Sequence, residues 1–252
     1  MAKVISPLVL KGTLNDINFY EASGQQLARE RGKTGVSKKE FKENPSYDPI
    51  RKQGIEFGSC ARQSVVFRNI VKPFYDLAKE VSFAGRVNQL LFEVLQEDVS
   101  HPKGARQLVN GLQRPEALEV LLHFEANQLR PLKKVLKTDV TFDWQELKSS
   151  LTSIDVVADL QWPEADANRV HLQFAVANWD FKAGLFQTQY SNALVLERES
   201  GVVPLDFQLE GLERSDLWLA YLFVGFSNQV RRQTKWLHKK YNTACVVGVM
   251  GF

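Results

Sequence analysis

The sequence predicts an α+β protein: an N-terminal β-hairpin arm, two or more helices, then an antiparallel, immunoglobulin-like β-sandwich of about seven strands. Three observations predict it. Residues 11–31 alternate apolar and polar side chains about a single turn, residues 48–97 place apolar side chains at helical spacing, and from about Leu118 the period falls to two. The expected division is 1–48 for the arm and linker, 49–114 for the helical region and 115–252 for the sandwich.

In the arm, Ile17 and Phe19 alternate with polar neighbours, Ser23-Gly24 supplies the turn and Gln25 to Glu30 returns. So few apolar residues cannot stabilise a two-stranded ribbon alone in water, so it must lie on something else. Ser37-Lys38-Lys39-Glu40 has capping-box spacing for a short helical turn, which Asn44-Pro45 ends. Asp48-Pro49 then reads as an N-cap with proline in the first helical position. The helix it opens runs toward Glu80, with Val66, Ile70, Phe74, Leu77 and Val81 on one face; Gly54, Gly58 and Pro73 predict a break within it. A second helix fits Arg86 to Glu97, on a stripe of Val87, Leu90, Leu91, Val94 and Leu95, and His101-Pro102-Lys103-Gly104 reads as a linker.

The segment Leu118 to Asn127 fits strand or helix and is read as strand. Strands follow at Val140–Trp144, Ile154–Leu160, Val170–Val176, Leu185–Leu196 and Val203–Leu209. Leu217 to Phe226 and Ala244 to Met250 are apolar on both faces, as central strands are.

Charge is segregated. Residues 1–137 hold 22 Lys/Arg against 15 Asp/Glu, residues 138–230 hold 5 against 14, and residues 231–252 hold 5 against none. Such asymmetry speaks to association rather than to fold. The loop Asn228 to Tyr241 concentrates Arg231, Arg232, Lys235, Lys239 and Lys240 around Trp236 and Tyr241. Cations interleaved with aromatics suit docking on an acidic protein face, or a phosphate backbone with stacked bases.

Most chemistries find no support. No apolar run reaches the roughly 18 residues of a membrane helix. Met1 to Pro7 lacks the apolar core of a secretory signal, so a cytoplasmic location is the expectation. Cys60 and Cys245 are too few for a disulfide framework and read as buried thiols. His101, His123, His171 and His238 have no second ligand at metal-binding spacing. Gly58-Ser59-Cys60-Ala61 is not a nucleophile elbow, and no glycine-rich phosphate cradle precedes a helix. Asp139, Asp143, Asp155 and Asp159 could line a calcium or carboxylate site only on adjacent strands; as an alternating series they read as a solvated sheet face. No catalytic, cofactor-binding or metal-binding residue is assigned, and no cofactor is expected.

Three pieces of the chain resemble an uncharacterised family of bacterial proteins. The first is Lys11-Gly12-Thr13-Leu14-Asn15-Asp16-Ile17-Asn18-Phe19-Tyr20, then Gly24 and Arg29-Glu30-Arg31-Gly32. The second is Gly35-Val36-Ser37, Asn44-Pro45 and Glu56-Phe57-Gly58; the third is Phe226, Gln229-Val230 and Tyr241-Asn242. Arg231 to Lys240 departs from that family's shorter, less basic hairpin. The resemblance implies the same layout of hairpin, helices and sandwich, and implies no activity.

The resulting expectation is a non-enzymatic structural or assembly protein. It would self-associate head-to-tail into an oligomer or polymer, with Phe19 and Tyr20 as anchors and opposite charge steering the encounter. Arg29, Arg31, Lys33, Lys38 and Lys39, together with the C-terminal basic loop, could instead bind nucleic acid. Trp162 and Trp179 are candidates for recognising a sugar or peptide.

Overall fold

The computed structural model describes residues 2–3, 9–22, 24–32, 35–181, 183–209 and 217–251. Ser23 of the expected turn, and Lys33, lie outside the described residues. The chain forms two compact units, Met1–Asp48 and Pro49–Phe252.

In the first unit, β1 (Ala2–Lys3), β2 (Gly12–Leu14), β3 (Ile17–Ala22) and β4 (Gln25–Glu30) build an antiparallel sheet in the order β1-β4-β3-β2. The expected hairpin is β3–β4, in register from Ile17↔Glu30 to Ala22↔Gln25, with Gly24 left-handed at φ 73° in its turn. It gains a strand on each side. Gly12 stands directly opposite Phe19. Asn15, at φ 52°, turns the chain from β2 into β3. Ser37 Oγ then accepts the Glu40 amide at 3.0 Å and opens α1 (Lys38–Glu43), as the capping spacing predicts. A 3₁₀ turn, Pro45–Tyr47, follows.

The second unit opens with α2 (Asp48–Ile70), whose buried face is Glu56, Cys60, Ser64, Phe67 and Ile70. Val71 leaves the helical region, and α3 (Lys72–Ala78) restarts with Pro73 in its first turn, the break that proline predicts. Val81 is a correction to the expected stripe: it lies beyond the end of α3 and is 99% exposed. α4 (Phe83–Gln96) buries Val87, Leu90, Leu91, Val94 and Leu95, as its spacing requires. α5 (Leu108–Gly111) comes so close to α4 that a Cβ on Gly111 would lie 2.1 Å from the Val94 carbonyl oxygen. The strand read into Leu118–Asn127 is also corrected. Pro115–Leu121 is a helix, α6, burying Ala117 and Leu121 at i, i+4 spacing. Beyond it, His123 is left-handed at φ 64° and Glu125 forms a single β-bridge to Cys245. α7 (Leu132–Val135) completes the helices.

The remaining strands are β5 (Phe142–Asp143), β6 (Lys148–Ser149), β7 (Ser153–Asp155), β8 (Arg169–Asp180), β9 (Leu185–Tyr190), β10 (Leu194–Glu197), β11 (Val202–Pro204), β12 (Leu217–Val230), β13 (Gln233–Trp236) and β14 (Thr243–Met250). Six of them form one antiparallel sheet around the central pair β8–β12. β9 and β10 lie end to end along the outer side of β8, while β14 and β13 do the same along β12. His123 and Ala126 donate to Val246 and Ala244, both at 2.8 Å, and so cover the free side of β14. β12 is buried on both faces from Leu217 to Ser227, the two-faced burial its apolar run predicts.

Alternation along β8 and β12 divides the packing into two cores. Ala175, Ala177, Trp179, Leu219, Tyr221 and Phe223 meet Phe67, Phe74, Val87 and Leu91 from the helices. Val170, Leu172, Phe174, Leu222, Val224 and Phe226 meet Leu132, Ile154, Leu160 and Leu205 on the opposite face. The architecture is therefore mixed helix and antiparallel sheet. Where two comparable sheets were expected, the described residues show one large sheet with α2–α6 on one face and the ribbons β5–β6 and β7–β11, with the short α7, on the other. Amphipathic helices need an apolar face to cover, and the odd-numbered positions of β8 and β12 supply it. Helical and sheet residues share that core, so no break in packing falls at residue 114.

Candidate interaction surfaces

The N-terminal sheet carries the anchors Phe19 and Tyr20 on opposite faces. Phe19 shares a face with Leu14, Ile17 and Ala28. Tyr20 shares the other with Leu27 and lies beneath the Arg29 guanidinium, 5.4 Å from the ring centre. Both rings are half-buried, Arg29 and Arg31 are exposed, and Leu14 and Ile17 are 67% and 46% exposed. None of the described residues from Val9 to Asp48 is buried. Among the described residues, the strands β2, β3 and β4 therefore bury no side chain fully, which is the distinctive feature of this unit.

The basic loop is a hairpin, not an irregular excursion. Arg231, left-handed at φ 57°, and Arg232 form its tip. β13 brings Lys235 opposite Asn228 and Trp236 opposite Ser227. Trp236 is 38% exposed, its ring 4.3 Å from that of His171. A Cβ on Gly225 would come within 2.4 Å of the Phe223 ring and 2.8 Å of the Trp236 indole, so the two rings together fill the space of a side chain there. Lys239 and Lys240 stand apart from the tip, in a 3₁₀ turn. The Lys240 ammonium lies 4.8 Å over Tyr241, and Lys239 joins Arg68, Lys72, Lys79, Asp76 and Glu80 around a cavity of about 500 Å³.

Two arrangements bring nucleophilic side chains near a base. Cys245, Glu125 and His123 line one cavity of about 550 Å³. Burial and the neighbouring Glu125 push the Cys245 thiol well up, so it stays protonated. Burial raises the Glu125 carboxyl as well. Its oxygens accept from the Leu132 amide at 2.8 Å and the Thr243 hydroxyl at 3.0 Å, tying α7 to β14. In the second arrangement, His171 Nε2 and Ser227 Oγ lie 2.7 Å apart, but Ser227 is fully buried. Burial, with Arg169 nearby, lowers the His171 pKa to about 4, leaving a neutral imidazole. Neither arrangement offers an activated, reachable nucleophile.

Three of the four aspartates in the acidic series hold backbone amides, while Asp139 lines the cavity with Cys245 and Glu125. Asp143 accepts the amides of Gln145 and Glu146, and Asp155 those of Val157 and Ala158, while Asp159 accepts that of Asp155. These are turn-forming carboxylates. Among the described residues no cluster of His, Cys, Asp and Glu could hold a metal ion, and no helix is long and apolar enough to cross a membrane. Trp179, a ligand-stacking candidate by sequence, is fully buried between Phe67 and Phe181. Trp162 lies instead in the wall of a cleft with Lys133, Lys134, Lys137 and Arg198. Sequence reasoning did not bring those cations together; their signal was Lys133-Lys134 and Lys137, one helical turn apart, just before the acidic stretch.

The outer side of β9 and β10 is a further exposed feature. Among the described residues these strands pair with β8 alone, and they expose Leu185, Phe186 and Val195 at 66%, 37% and 46%. Comparison with protein-family models, with curated proteins and with solved structures finds no match. The fold is thus of mixed helix and antiparallel sheet, with an N-terminal unit in which no described residue from Val9 to Asp48 is buried.

Proposed function

We propose that this chain is a non-enzymatic structural protein that self-associates head-to-tail, the N-terminal sheet of one copy docking on the β9–β10 edge of the next. One observation carries this reading: no described residue from Val9 to Asp48 is buried, yet Leu14 and Ile17 are exposed on one face of the N-terminal sheet. Such a sheet covers those side chains by association, because burying apolar area is the main favourable contribution available to it. The receiving edge has complementary character. No described strand pairs with its outer side, its apolar side chains face water, and the stretch that holds it is acidic where residues 1–137 are basic. A heterologous contact of this kind propagates into rings or filaments. The large sheet, facing two short ribbons across a shared core, supports reading the C-terminal half as a sandwich with unequal layers. The free, buried thiols of Cys60 and Cys245 suit a reducing compartment.

Light scattering on the full-length chain tests this. At low salt the expected mass is many times the 28.7 kDa of one chain. It should fall toward the monomer when residues 1–31 are deleted, when Val195→Lys charges the receiving edge, or as salt screens the encounter. A full-length protein that stays monomeric at high concentration and low salt overturns the proposal. Large species that survive Val195→Lys but not the deletion would overturn the choice of edge.

A further inference from the structure

Lys133 and Lys134 project from α7, Lys137 follows one turn later, and Arg198 comes from the chain after β10. All four line an open cleft of about 920 Å³ with Trp162, and the sole carboxylate in its wall is Glu199. We propose that this cleft binds a compact ligand carrying several phosphate groups.

Trp162 is fixed before any ligand arrives. Its Nε1 donates to the Val156 carbonyl at 2.8 Å, and its ring meets Phe226 edge-on at 5.3 Å. The Arg198 guanidinium lies 5.2 Å over that ring, which orients the fork without consuming its hydrogen-bond donors. Of the two carboxylates beside it in sequence, Glu197 is engaged with Arg169 at 2.9 Å, and Glu199 lines the cleft without an ion pair to Arg198. Lys137 donates to the Ala158 carbonyl at 2.6 Å, a contact that holds the ammonium in place but leaves its charge uncompensated. Among the described residues none of the four cations makes an ion pair. Four like charges converging on one concave surface repel one another unless an anion occupies it. A multiply charged oxyanion also matches the donors, one guanidinium fork and three ammonium groups.

The acidic stretch beginning at residue 138 selects a compact ligand over a polymer. The stretch 138–230, which supplies Trp162 and Arg198 to the cleft, holds 5 basic and 14 acidic residues, a balance that disfavours a long polyanion, while charges more than about one Debye length away are screened from a ligand confined to the cleft.

Isothermal titration with inorganic tripolyphosphate at about 0.15 M salt tests this. Saturable binding is expected, weakened about tenfold or more by Lys133→Gln combined with Arg198→Gln. Lys148→Gln, at a lysine paired with Glu146 outside the cleft, should leave it unchanged. Both substituted cleft side chains are exposed, so the double variant should keep the parent's melting temperature. Trp162→Phe should remove the ligand-induced change in tryptophan fluorescence. No saturable binding, or binding indifferent to the cleft variants, overturns the proposal. Tighter binding of a single-stranded oligonucleotide lost in the same variants would overturn the compact ligand in favour of nucleic acid. Deleting residues 1–31 should not affect this titration, so it stands apart from self-association.

Discussion

Replacing Arg106 by alanine is expected to destabilise the Pro49–Phe252 unit by about 3–5 kcal/mol, the cost of stranding a buried carboxylate. Glu56 is 1% exposed on the inner face of α2 and is held by three donors: Arg106 Nε at 2.9 Å, Arg106 Nη2 at 2.7 Å and the Gly104 amide at 2.6 Å. Hydrogen bonding to Arg106 holds its carboxyl below the ordinary glutamate range despite burial. A carboxylate with a depressed folded-state pKa contributes stability that is present above its unfolded pKa and lost as the pH falls through the folded value. The gap between the parent and Arg106→Ala should therefore be widest near neutrality and should narrow as the carboxylate range is traversed. Adding Glu56→Gln to Arg106→Ala should recover much of the loss, because the buried charge is gone. Denaturant unfolding of the three variants at several pH values measures all of this. An Arg106→Ala protein within about 0.5 kcal/mol of the parent at pH 7 would show that the pair is solvated and dispensable.

That ion pair shows what the sequence concealed. His101-Pro102-Lys103-Gly104 reads as a linker because every residue in it is polar or a turn former. Yet the loop is fastened from both ends. Glu56 holds Gly104 and Arg106, while Asp98, its side chain fully buried, accepts from the Ser100 and Gln107 amides and contacts His101 Nδ1 at 2.9 Å. Glu56 lies 48 residues from Gly104, a pairing invisible to any local pattern.

Patterns were most legible where one interaction dominated. Two-sided burial of β12, the Pro73 break and the Ser37 cap each follow from local chemistry and were readable. The segment after Pro115 misled because Leu118, Val120 and Leu122 alternate, while the residues that face the core are Ala117 and Leu121. A small alanine carries little weight in a hydrophobic pattern, although it can set the closeness of packing. The second layer of the sandwich was expected from apolar alternation at Val140–Trp144 and Ile154–Leu160, where Asp143, Asp155 and Asp159 instead close turns and leave only short strands. Of the helices that cover the other face, α2, α3 and α4 were legible as helices but not as the sheet's partners, and α6 was read as strand. Of the candidate site residues, Arg231, Arg232 and Lys235 stand at an exposed tip as their composition suggests. Trp236 packs with Phe223 over the missing side chain of Gly225, a contact that no local pattern in the sequence shows. The cationic cleft assembles residues some 60 positions apart and had no sequence signature beyond three lysines.

The break between β13 and β14 carries the second large effect. Asn242 fills that break, just as Ser191 fills the one between β9 and β10, and each restores a bond that a central strand would otherwise lack. Ser191 Oγ accepts the Phe174 amide at 3.0 Å, and Asn242 Oδ1 accepts the Phe226 amide at 2.9 Å. Asn242 does more, since its Nδ2 donates to the Leu77 carbonyl of α3 at 2.9 Å and its own carbonyl accepts from Asn127 at 3.0 Å. Asn242→Ala strands a buried amide and a buried carbonyl together, and each such group costs roughly 1–3 kcal/mol. A loss of about 2–5 kcal/mol is expected, against about 1–3 for Ser191→Ala, which strands one amide. Asn242→Asp should be no milder, because it keeps the acceptor, removes the donor and buries a charge. Hydrogen exchange supplies the local readout: the Phe226 amide should lose protection in Asn242→Ala and keep it in Ser191→Ala. If both variants melt with the parent, water must reach these breaks and the side chains are ornamental. Assembly should respond differently, because the proposed receiving edge lies on the β8 side of the sheet and Asn242 on the β12 side. Asn242→Ala should therefore lower the melting temperature while leaving the mass of the folded species unchanged.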